Sequence, residues 1–296
     1  MEGFKKVLVY LSKDNSIPQC AKFAQSITGH FCGSHEDRVP VNFCLSNNKF
    51  IVSDNEFQGS TRAFLKRPPF CPFKHLDATQ LSLLREGTQS RGVDTGVAIL
   101  LQTANKKILL TRRAKDLSIF PNLWVPPGGH VELNEKLLTA GLRELEEETG
   151  LHLKEGGYSS MTLGLWESAY PPGLSRGLPK RHHIVSYLVV TSNEDHSELQ
   201  KRLCPNEEEV SACAWLEPSI IEAIVTFTDK KEAPRKLPDG LPPTVKITTL
   251  CDGLMKDTEL PTLVLLNTGE DVERVSDGTK YALQLWLDNL KSQNHL

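Results

Sequence analysis

The feature that most constrains the fold of this chain is an acidic helical pattern from about residue 134 to 148. Successive residues of a helix turn by ~100°, so the side chains of Glu144, Glu147 and Glu148 fall within an arc of roughly 100°. Leucines of the same segment occupy a different arc, which is the face able to pack on a sheet. The pattern therefore predicts an amphipathic helix that gathers carboxylates on one face.

Carboxylates crowded near the end of a helix repel one another and face the unfavourable end of the helix dipole. Only Arg143 and Lys136 offer local relief, whereas a plain solvent-facing helix more often carries lysines four residues after its acids. A hard divalent cation would remove the conflict, because Mg²⁺ takes oxygen ligands and is commonly bound by carboxylates with substrate phosphates. Taken alone, the acids are more typical of a solvated face than of a metal site.

The residues around the acids favour a metal site. Arg143 can orient a carboxylate through its planar guanidinium fork, and Glu135 stands at the start of the helix, where an acid is favoured. The loop Pro126–Gly129 leads into the helix, and its glycines allow backbone to approach the acidic face closely.

The stretch from Gly129 to Leu151 resembles the Nudix box, Gly-x5-Glu-x7-Arg-Glu-U-x-Glu-Glu-x-Gly-U with U aliphatic, and every defined position matches. The likeness extends over about residues 91 to 217. It implies an α/β protein with the Nudix α/β/α sandwich and mixed sheet, the box forming a loop, a helix and a second loop. It also implies a hydrolase that cleaves a phosphoanhydride bond of a nucleoside-diphosphate-linked substrate.

The resemblance implies roles for the matching residues. Arg143 and Glu135 would hold the ligands in place, and a bound Mg²⁺ or Mn²⁺ would bridge a diphosphate and lower the pKa of an attacking water. The metal ligands implied by the match are Glu144, Glu147, Glu148 and the carbonyl oxygen of Gly129.

The general base is left open between two places, because it varies within the family. One candidate is Glu147 of the box. The other is the later acidic run Glu207 to Glu209, in which Glu208 or Glu209 is preferred. That run is equally typical of an exposed acidic turn.

The box leaves the substrate open, because recognition resides on surrounding loops. Leu109–Arg113 matches only the start of the marker of coenzyme A hydrolases, and Leu165–Pro172 lacks the array of NADH diphosphatases. Lys5–Leu11, Trp166–Ser168 and Arg181–Ile184 are most similar to family members that act on the methylguanosine cap of RNA and release 7-methyl-GDP. Coenzyme A, ADP-ribose and dinucleotides remain alternatives, as does a catalytically silent binding module, although no box carboxylate is replaced.

Three residues are candidates for binding a cap. Methylguanine is flat and cationic, so Trp166 or Tyr170 would stack on it through cation–π attraction, while Arg181 would meet phosphate. Trp166 is also compatible with a core position, and the basic run with a solvated loop. The basic run comprises Arg176, Lys180, Arg181, His182 and His183.

The remaining pattern divides the chain into three regions. Residues 1–90 are expected to form a small α+β extension, 91–236 the Nudix domain, and 237–296 a C-terminal extension that ends in an amphipathic helix. Apolar residues at three- and four-residue spacing predict a further helix over 20–31. Residues 262–266 read as a strand.

Composition narrows the partners and the compartment. The net charge is −3, so the overall charge does not indicate binding to nucleic acid or to a membrane. No apolar run approaches the ~20 residues needed to span a bilayer, and the N-terminal apolar run is too short for a secretory signal. Scattered cysteines without a Cys-x-x-Cys pair fit a reducing compartment.

We therefore expect a cytoplasmic enzyme whose partner is a nucleotide-containing small molecule or the capped 5′ end of RNA. Neither a membrane nor a stable protein partner is deducible. Asn294–Leu296 has a distant likeness to a peroxisomal targeting tripeptide, which makes the peroxisome the weaker expectation.

Overall fold

The computed structural model describes residues 6–33, 36–227, 234, 236–251, 253–269 and 271–293, so the C-terminal tripeptide lies outside the described residues. The strands are β1 Leu8–Ser12, β2 Gln19–Cys20, β3 Arg38–Ser46, β4 Lys49–Ser53, β5 Thr61–Lys66, β6 Asp94–Gln102, β7 Ile108–Arg113, β8 Leu123–Val125, β9 Gly128–His130, β10 Tyr158–Tyr170, β11 Arg181–Ser192, β12 Val210–Leu216, β13 Thr244–Cys251, β14 Leu254–Pro261 and β15 Arg274–Val275. The helices are α1 Ile27–Phe31, α2 Pro72–His75, α3 Ala78–Ser82, α4 Glu86–Gln89, α5 Leu137–Thr149, α6 His196–Arg202, α7 Pro218–Thr226, α8 Thr262–Leu265 and α9 Asp277–Gln293. In the described ranges, no helix combines the length and apolar character that a membrane span requires.

The chain divides into two compact units, and strands β6, β10 and β11 contribute residues to both. The first unit comprises Met1–Val97, Gly129–Ala140 and Gly164–Tyr187. The second comprises Ala98–Gly128, Gly141–Leu163 and Leu188–Leu296.

The sheet of the first unit contains neighbouring strands in the order β10, β5, β3, β4, β1 and β2. Strands β3 and β4 form an antiparallel hairpin whose two-residue turn, Asn47 and Asn48, has φ values of 49° and 60°. Asparagine tolerates this left-handed conformation, which matches the twist of the two strands. Strand β1 then adds in parallel to β4, and β10 adds in parallel to β5.

The helix predicted over residues 20–31 is wrong for most of its length. Backbone of Ala21 and Phe23 donates hydrogen bonds to the carbonyl oxygens of Val9 and Arg91, so this segment is extended. Helix α1 begins only at Ile27. The apolar spacing resembled that of a helix because Phe23 and Ile27 are both buried in the core. Phe23 enters the core from an extended segment, however, and Ile27 from a helix.

A buried carboxylate fixes the start of α1. The Glu167 side chain accepts hydrogen bonds from the backbone N–H groups of Ile27 at 2.7 Å and Thr28 at 2.8 Å. It also lies 3.2 Å from His182 Nε2, while His182 Nδ1 lies 2.7 Å from the carbonyl oxygen of Phe23. Burial by itself raises the pKa of Glu167, but the bonds from His182 and Thr28 outweigh it and hold the pKa below its usual value.

The sheet of the second unit contains β14, β13, β12 and β7 as antiparallel neighbours, and β8 pairs with both β7 and β15.

The predicted terminal helix is confirmed as α9, which buries Leu283 and Leu287. The strand predicted at residues 262–266 is wrong, because Pro261 precedes a helical turn, α8, in which Thr262 Oγ1 donates to the carbonyl oxygen of Pro242.

Replacement of Glu167 by alanine would leave two helix N–H groups and a buried imidazole without their acceptor. We expect a loss of about 3–5 kcal/mol in the free energy of unfolding, the range for removing one member of a buried ion pair. Urea denaturation of Glu167→Ala beside Glu155→Ala, which removes an exposed acid of similar size, measures this. Equal stability of the two variants would contradict a role for Glu167 in anchoring α1.

Candidate active site

The acidic helix of the sequence is α5, and its prediction is confirmed except for the first three residues. Asn134 has a φ of 68°, so the chain bends before the helix begins at Leu137. At the other end, Gly150 has a φ of 71°, and a Cβ there would lie 2.9 Å from the Cβ and the carbonyl oxygen of Cys204. Only glycine meets both demands, which explains why the box has a glycine directly after the helix.

Glu148 is the most deeply buried acid of the box, with 5% of its surface exposed. Its Oε1 accepts a hydrogen bond from the backbone N–H of Gly128 at 3.2 Å. Burial raises the pKa of Glu148 to about 8; Gly128 and Arg113 oppose the shift, and the charges of Glu144 and Glu209 add to it. A carboxylate in this position is poorly solvated and lacks a full counter-charge.

Glu144 and Glu147 share one arginine. Arg143 Nη1 lies 2.9 Å from Glu144 Oε1 and 3.0 Å from Glu147 Oε2. The side chain of Glu144 is 14% exposed and that of Glu147 is 57% exposed, so burial deepens from Glu147 through Glu144 to Glu148. Burial raises the pKa of Glu144, and Arg143 partly offsets this effect.

This donor set fits a hard divalent cation. Glu144 and Glu148 are two desolvated carboxylates, and the charge of Glu144 adds to the raised pKa of Glu148. Glu147 raises the pKa of Glu144 and extends the set toward solvent. Oxygen donors without imidazole or thiolate are the ligands that Mg²⁺ and Mn²⁺ prefer. The chemistry of these donors is therefore that of the metal that the sequence led us to expect.

Arg113 is a member of this cluster that the sequence analysis missed. It ends strand β7, and its Nε donates to the carbonyl oxygen of Ile119 at 3.2 Å. Burial lowers its pKa, while the charges of Glu148 and Glu209 raise it. The basic pair Arg112–Arg113, which closes a strand that begins with three apolar residues, was the signal that could have identified it.

Of the three later acids, Glu209 is the one whose charge acts on the box. It contributes to the raised pKa of both Glu144 and Glu148, and its carbonyl oxygen accepts from Ala114 N at 2.8 Å. Glu207 is engaged elsewhere, since its Oε2 accepts from Gly253 N at 2.7 Å. Glu208 is exposed, and its backbone N–H is bound by the side chain of Asn206.

Two further box residues lie in the first unit. The carbonyl oxygen of Gly129 faces Gly96 so closely that a Cβ on Gly96 would lie 3.2 Å from it. Glu135 Oε2 accepts from the backbone N–H of Glu132 at 3.0 Å, which supports the turn before α5.

The residues expected to bind substrate also belong to the first unit. Trp166 of β10 is 7% exposed and lies opposite Lys66 of the neighbouring strand β5, so it occupies a core position. Tyr170 and Arg181 are half-buried at the facing ends of β10 and β11. The grouping of His182 with the phosphate-binding basic run is wrong, because its ring is buried and is bound to Glu167.

The buried charge of Glu148 should cost stability when no metal is present. Because the folded-state pKa of about 8 lies above the ordinary 4.5, this cost grows as the pH rises between the two values. Glu148→Gln should therefore raise the free energy of unfolding of the metal-free protein at pH 9 by on the order of 5 kcal/mol, but not at pH 4.5. Glu147→Gln, at an exposed position of the same helix, is the matched control, and a destabilised Glu148→Gln at pH 9 would contradict the account.

Comparison with known proteins agrees with this geometry. The NUDIX domain model matches residues 92–237. Proteins named m7GpppN-mRNA hydrolase NUDT17 from Xenopus laevis and Danio rerio are 54% and 52% identical to this chain, and each match covers 98–99% of both chains. A solved MutT/nudix family protein from Enterococcus faecalis is 17% identical with a TM-score of 0.39, covering 70% of this chain and 65% of its own, and this likeness is too low to add to the assignment. The chain belongs to the Nudix hydrolase family.

Proposed function

We propose that this protein hydrolyses the 5′ cap of RNA by cleaving a phosphoanhydride bond and releasing 7-methyl-GDP. The observation that carries the proposal is the identity of about one half, over nearly the whole chain, to relatives named m7GpppN-mRNA hydrolase. The identity extends well beyond the matched domain at 92–237. It therefore includes the loops and extensions on which substrate choice depends.

We propose that the box carboxylates Glu144, Glu147 and Glu148, with the carbonyl oxygen of Gly129, hold Mg²⁺ or Mn²⁺. Bound metal would neutralise charge on the pyrophosphate and lower the pKa of a coordinated water. The N–H of Gly128 orients Glu148, and Arg143 holds the other two carboxylates in one arrangement. Glu135 fixes the turn from which α5 starts.

The general base in this proposal is Glu209. Its charge reaches the box carboxylates, and the bond from Ala114 N to its carbonyl oxygen fixes its backbone beside the end of β7. Glu147 is the weaker candidate, because Arg143 already engages its carboxylate. We do not assign this role to Glu208, because no contact among the described residues links its carboxylate to the carboxylates of the box.

For the cap, we propose that Tyr170 stacks on methylguanine and that Arg181 meets phosphate, with Trp166 as the buried support of the same strand. Tyr170 is preferred over Trp166 because it is only partly buried, whereas Trp166 is 7% exposed. We retain the division into an extension at 1–90, the Nudix domain at 91–236 and a second extension at 237–296. We propose that the enzyme acts on capped RNA in the cytoplasm.

Glu148→Gln should lower kcat on capped RNA by at least ~10²-fold with the fold intact, because the substitution removes a ligand charge but keeps the shape. Glu146→Gln is the matched control on the same helix, since Glu146 pairs with His152 on the exposed face. Turnover is measured with Mg²⁺ or Mn²⁺ in ¹⁸O-water, and the labelled product identifies the phosphorus attacked. Wild-type turnover by Glu148→Gln would refute the ligand assignment.

The same assay tests the substrate. Capped RNA is compared with coenzyme A, ADP-ribose and dinucleotides, and 7-methyl-GDP is expected as the labelled product of the best substrate. A higher kcat/KM for one of the other compounds would replace the cap proposal while leaving the hydrolase assignment in place. Turnover of none of them would favour a binding module.

Glu209→Gln should lower kcat by ~10²–10⁴-fold, the range for loss of a general base, and should abolish the acidic limb of the pH–rate profile. Glu208→Gln, the neighbouring acid of the same turn, should change kcat by no more than a few-fold. A larger loss in Glu208→Gln than in Glu209→Gln would reverse the assignment.

A further inference from the structure

A second cluster of metal-binding side chains lies in the first unit, outside the box carboxylates. It is formed by Asp94 at the start of β6, His130 at the end of β9 and His183 in β11. The two imidazoles bring their Nε2 atoms to 3.3 Å from one another. Asp94 Oδ2 lies 3.7 Å from His183 Nε2 and 3.9 Å from His130 Nε2.

These separations are those of ligands around a small dication. Four ligands placed tetrahedrally at ~2.0–2.1 Å from a zinc ion lie ~3.3–3.4 Å from one another. The imidazole pair has this spacing already, and the carboxylate oxygen is within about half an ångström of it. Movement of the Asp94 oxygen by a few tenths of an ångström would complete three corners of a tetrahedron.

The carboxylate oxygen that faces the histidines is unsatisfied. Asp94 is 4% exposed, and within the described part of the chain its Oδ2 receives no hydrogen bond. A buried carboxylate oxygen without a donor is costly, and such a group in a folded protein calls for an ion or a water. The oxygen therefore points to a missing partner between Asp94, His130 and His183.

Both histidines are suited to act as ligands. The Nε2 atom of each imidazole faces the cluster, 3.3 Å from the other Nε2 and within 3.9 Å of Asp94 Oδ2. A neutral imidazole offers a lone pair to a metal without first losing a proton. The side chain of His130 is 45% exposed and that of His183 is 19% exposed, which leaves a path for an ion to enter.

We propose that Asp94, His130 and His183 form a binding site for Zn²⁺ or a similar transition-metal dication. Two imidazoles and one carboxylate suit such an ion better than Mg²⁺, which prefers oxygen ligands only. Three protein ligands leave one tetrahedral position for water or for a group of a bound molecule. The ligand chemistry separates this site from the oxygen-only set on α5.

The ammonium group of Lys6 would compete with a metal ion for the space beside Asp94 and His130. Its Nζ lies 3.3 Å from His130 Nε2 and 3.6 Å from Asp94 Oδ2. Arg91 also approaches Asp94 Oδ2, at 3.6 Å. The ammonium of Lys6 occupies the neighbourhood that a dication would take, so it must move aside on binding. Its side chain is 31% exposed and has room to do so.

The test is Zn²⁺ titration of the full-length, metal-stripped protein by calorimetry, with Co²⁺ as the spectroscopic probe. The wild type should bind one Zn²⁺ through imidazole, and its Co²⁺ form should show two hyperfine-shifted, exchangeable imidazole N–H proton resonances. His130→Ala should weaken Zn²⁺ binding by more than ~10-fold, because even the loss of a residue that only supports a metal ligand costs ~10–100-fold in affinity. Asp94→Asn should weaken it similarly.

Two further variants make the assignment specific. Lys6→Met should tighten Zn²⁺ binding by removing the competing charge, and Glu148→Gln should leave the imidazole resonances unchanged because it alters only the α5 carboxylates. Circular dichroism of each metal-free variant confirms the fold; if Asp94→Asn does not fold, the half-exposed His130→Ala carries the test. Absence of the imidazole resonances in the wild type, or Zn²⁺ affinity unchanged in His130→Ala, would overturn the proposal.

Discussion

A carboxylate held almost entirely out of water is the constraint around which the second unit is arranged. Glu148 sits at the end of α5, where the backbone N–H of Gly128 donates a hydrogen bond to it and the charge of Arg113 opposes the rise of its pKa. Neither is enough to solvate it, since its pKa remains raised to about 8. A helix that was selected only for stability would place an apolar residue at this position. We propose that this burial lowers folded-state stability and raises affinity for a cation.

The remaining features of the box follow from that constraint. Gly150 lets the chain leave the helix against Cys204 without displacing Glu148. Arg143 gathers the two less buried acids, so that their mutual repulsion does not spread them apart. The charge of Glu209 adds to the unfavourable field at Glu144 and Glu148 instead of relieving it. A cluster arranged in this way is relieved most directly by a divalent ion.

The sequence was informative where one local pattern determined the structure. The helix α5 and the strand β12 could be predicted from periodicity, because each buries one regular face. The extended segment around Phe23 could not, since its partners Val9 and Arg91 are distant and leave no local trace. Strand β14 is mostly exposed and carries no apolar alternation that would have announced it.

The same distinction, between local patterns and contacts of distant residues, applies to the candidate sites. The α5 acids lie within one helix, so their spacing identified them, whereas Arg113 and Asp94 join their clusters only through folding. For Glu167 and His182, the role suggested by the sequence differs from the observed one. Both belong to segments that suggested substrate binding, but their side chains anchor α1. Chemically suggestive residues in a loop or strand do not reveal whether they face solvent or the core.

Anomalous diffraction from crystals soaked in Mn²⁺ tests the central claim most directly. The account predicts a manganese peak among the carboxylates of Glu144, Glu147 and Glu148, with metal–oxygen distances of roughly 2.1 Å, the length typical of a small hard dication. Carboxylates turned into solvent with no peak between them would contradict it.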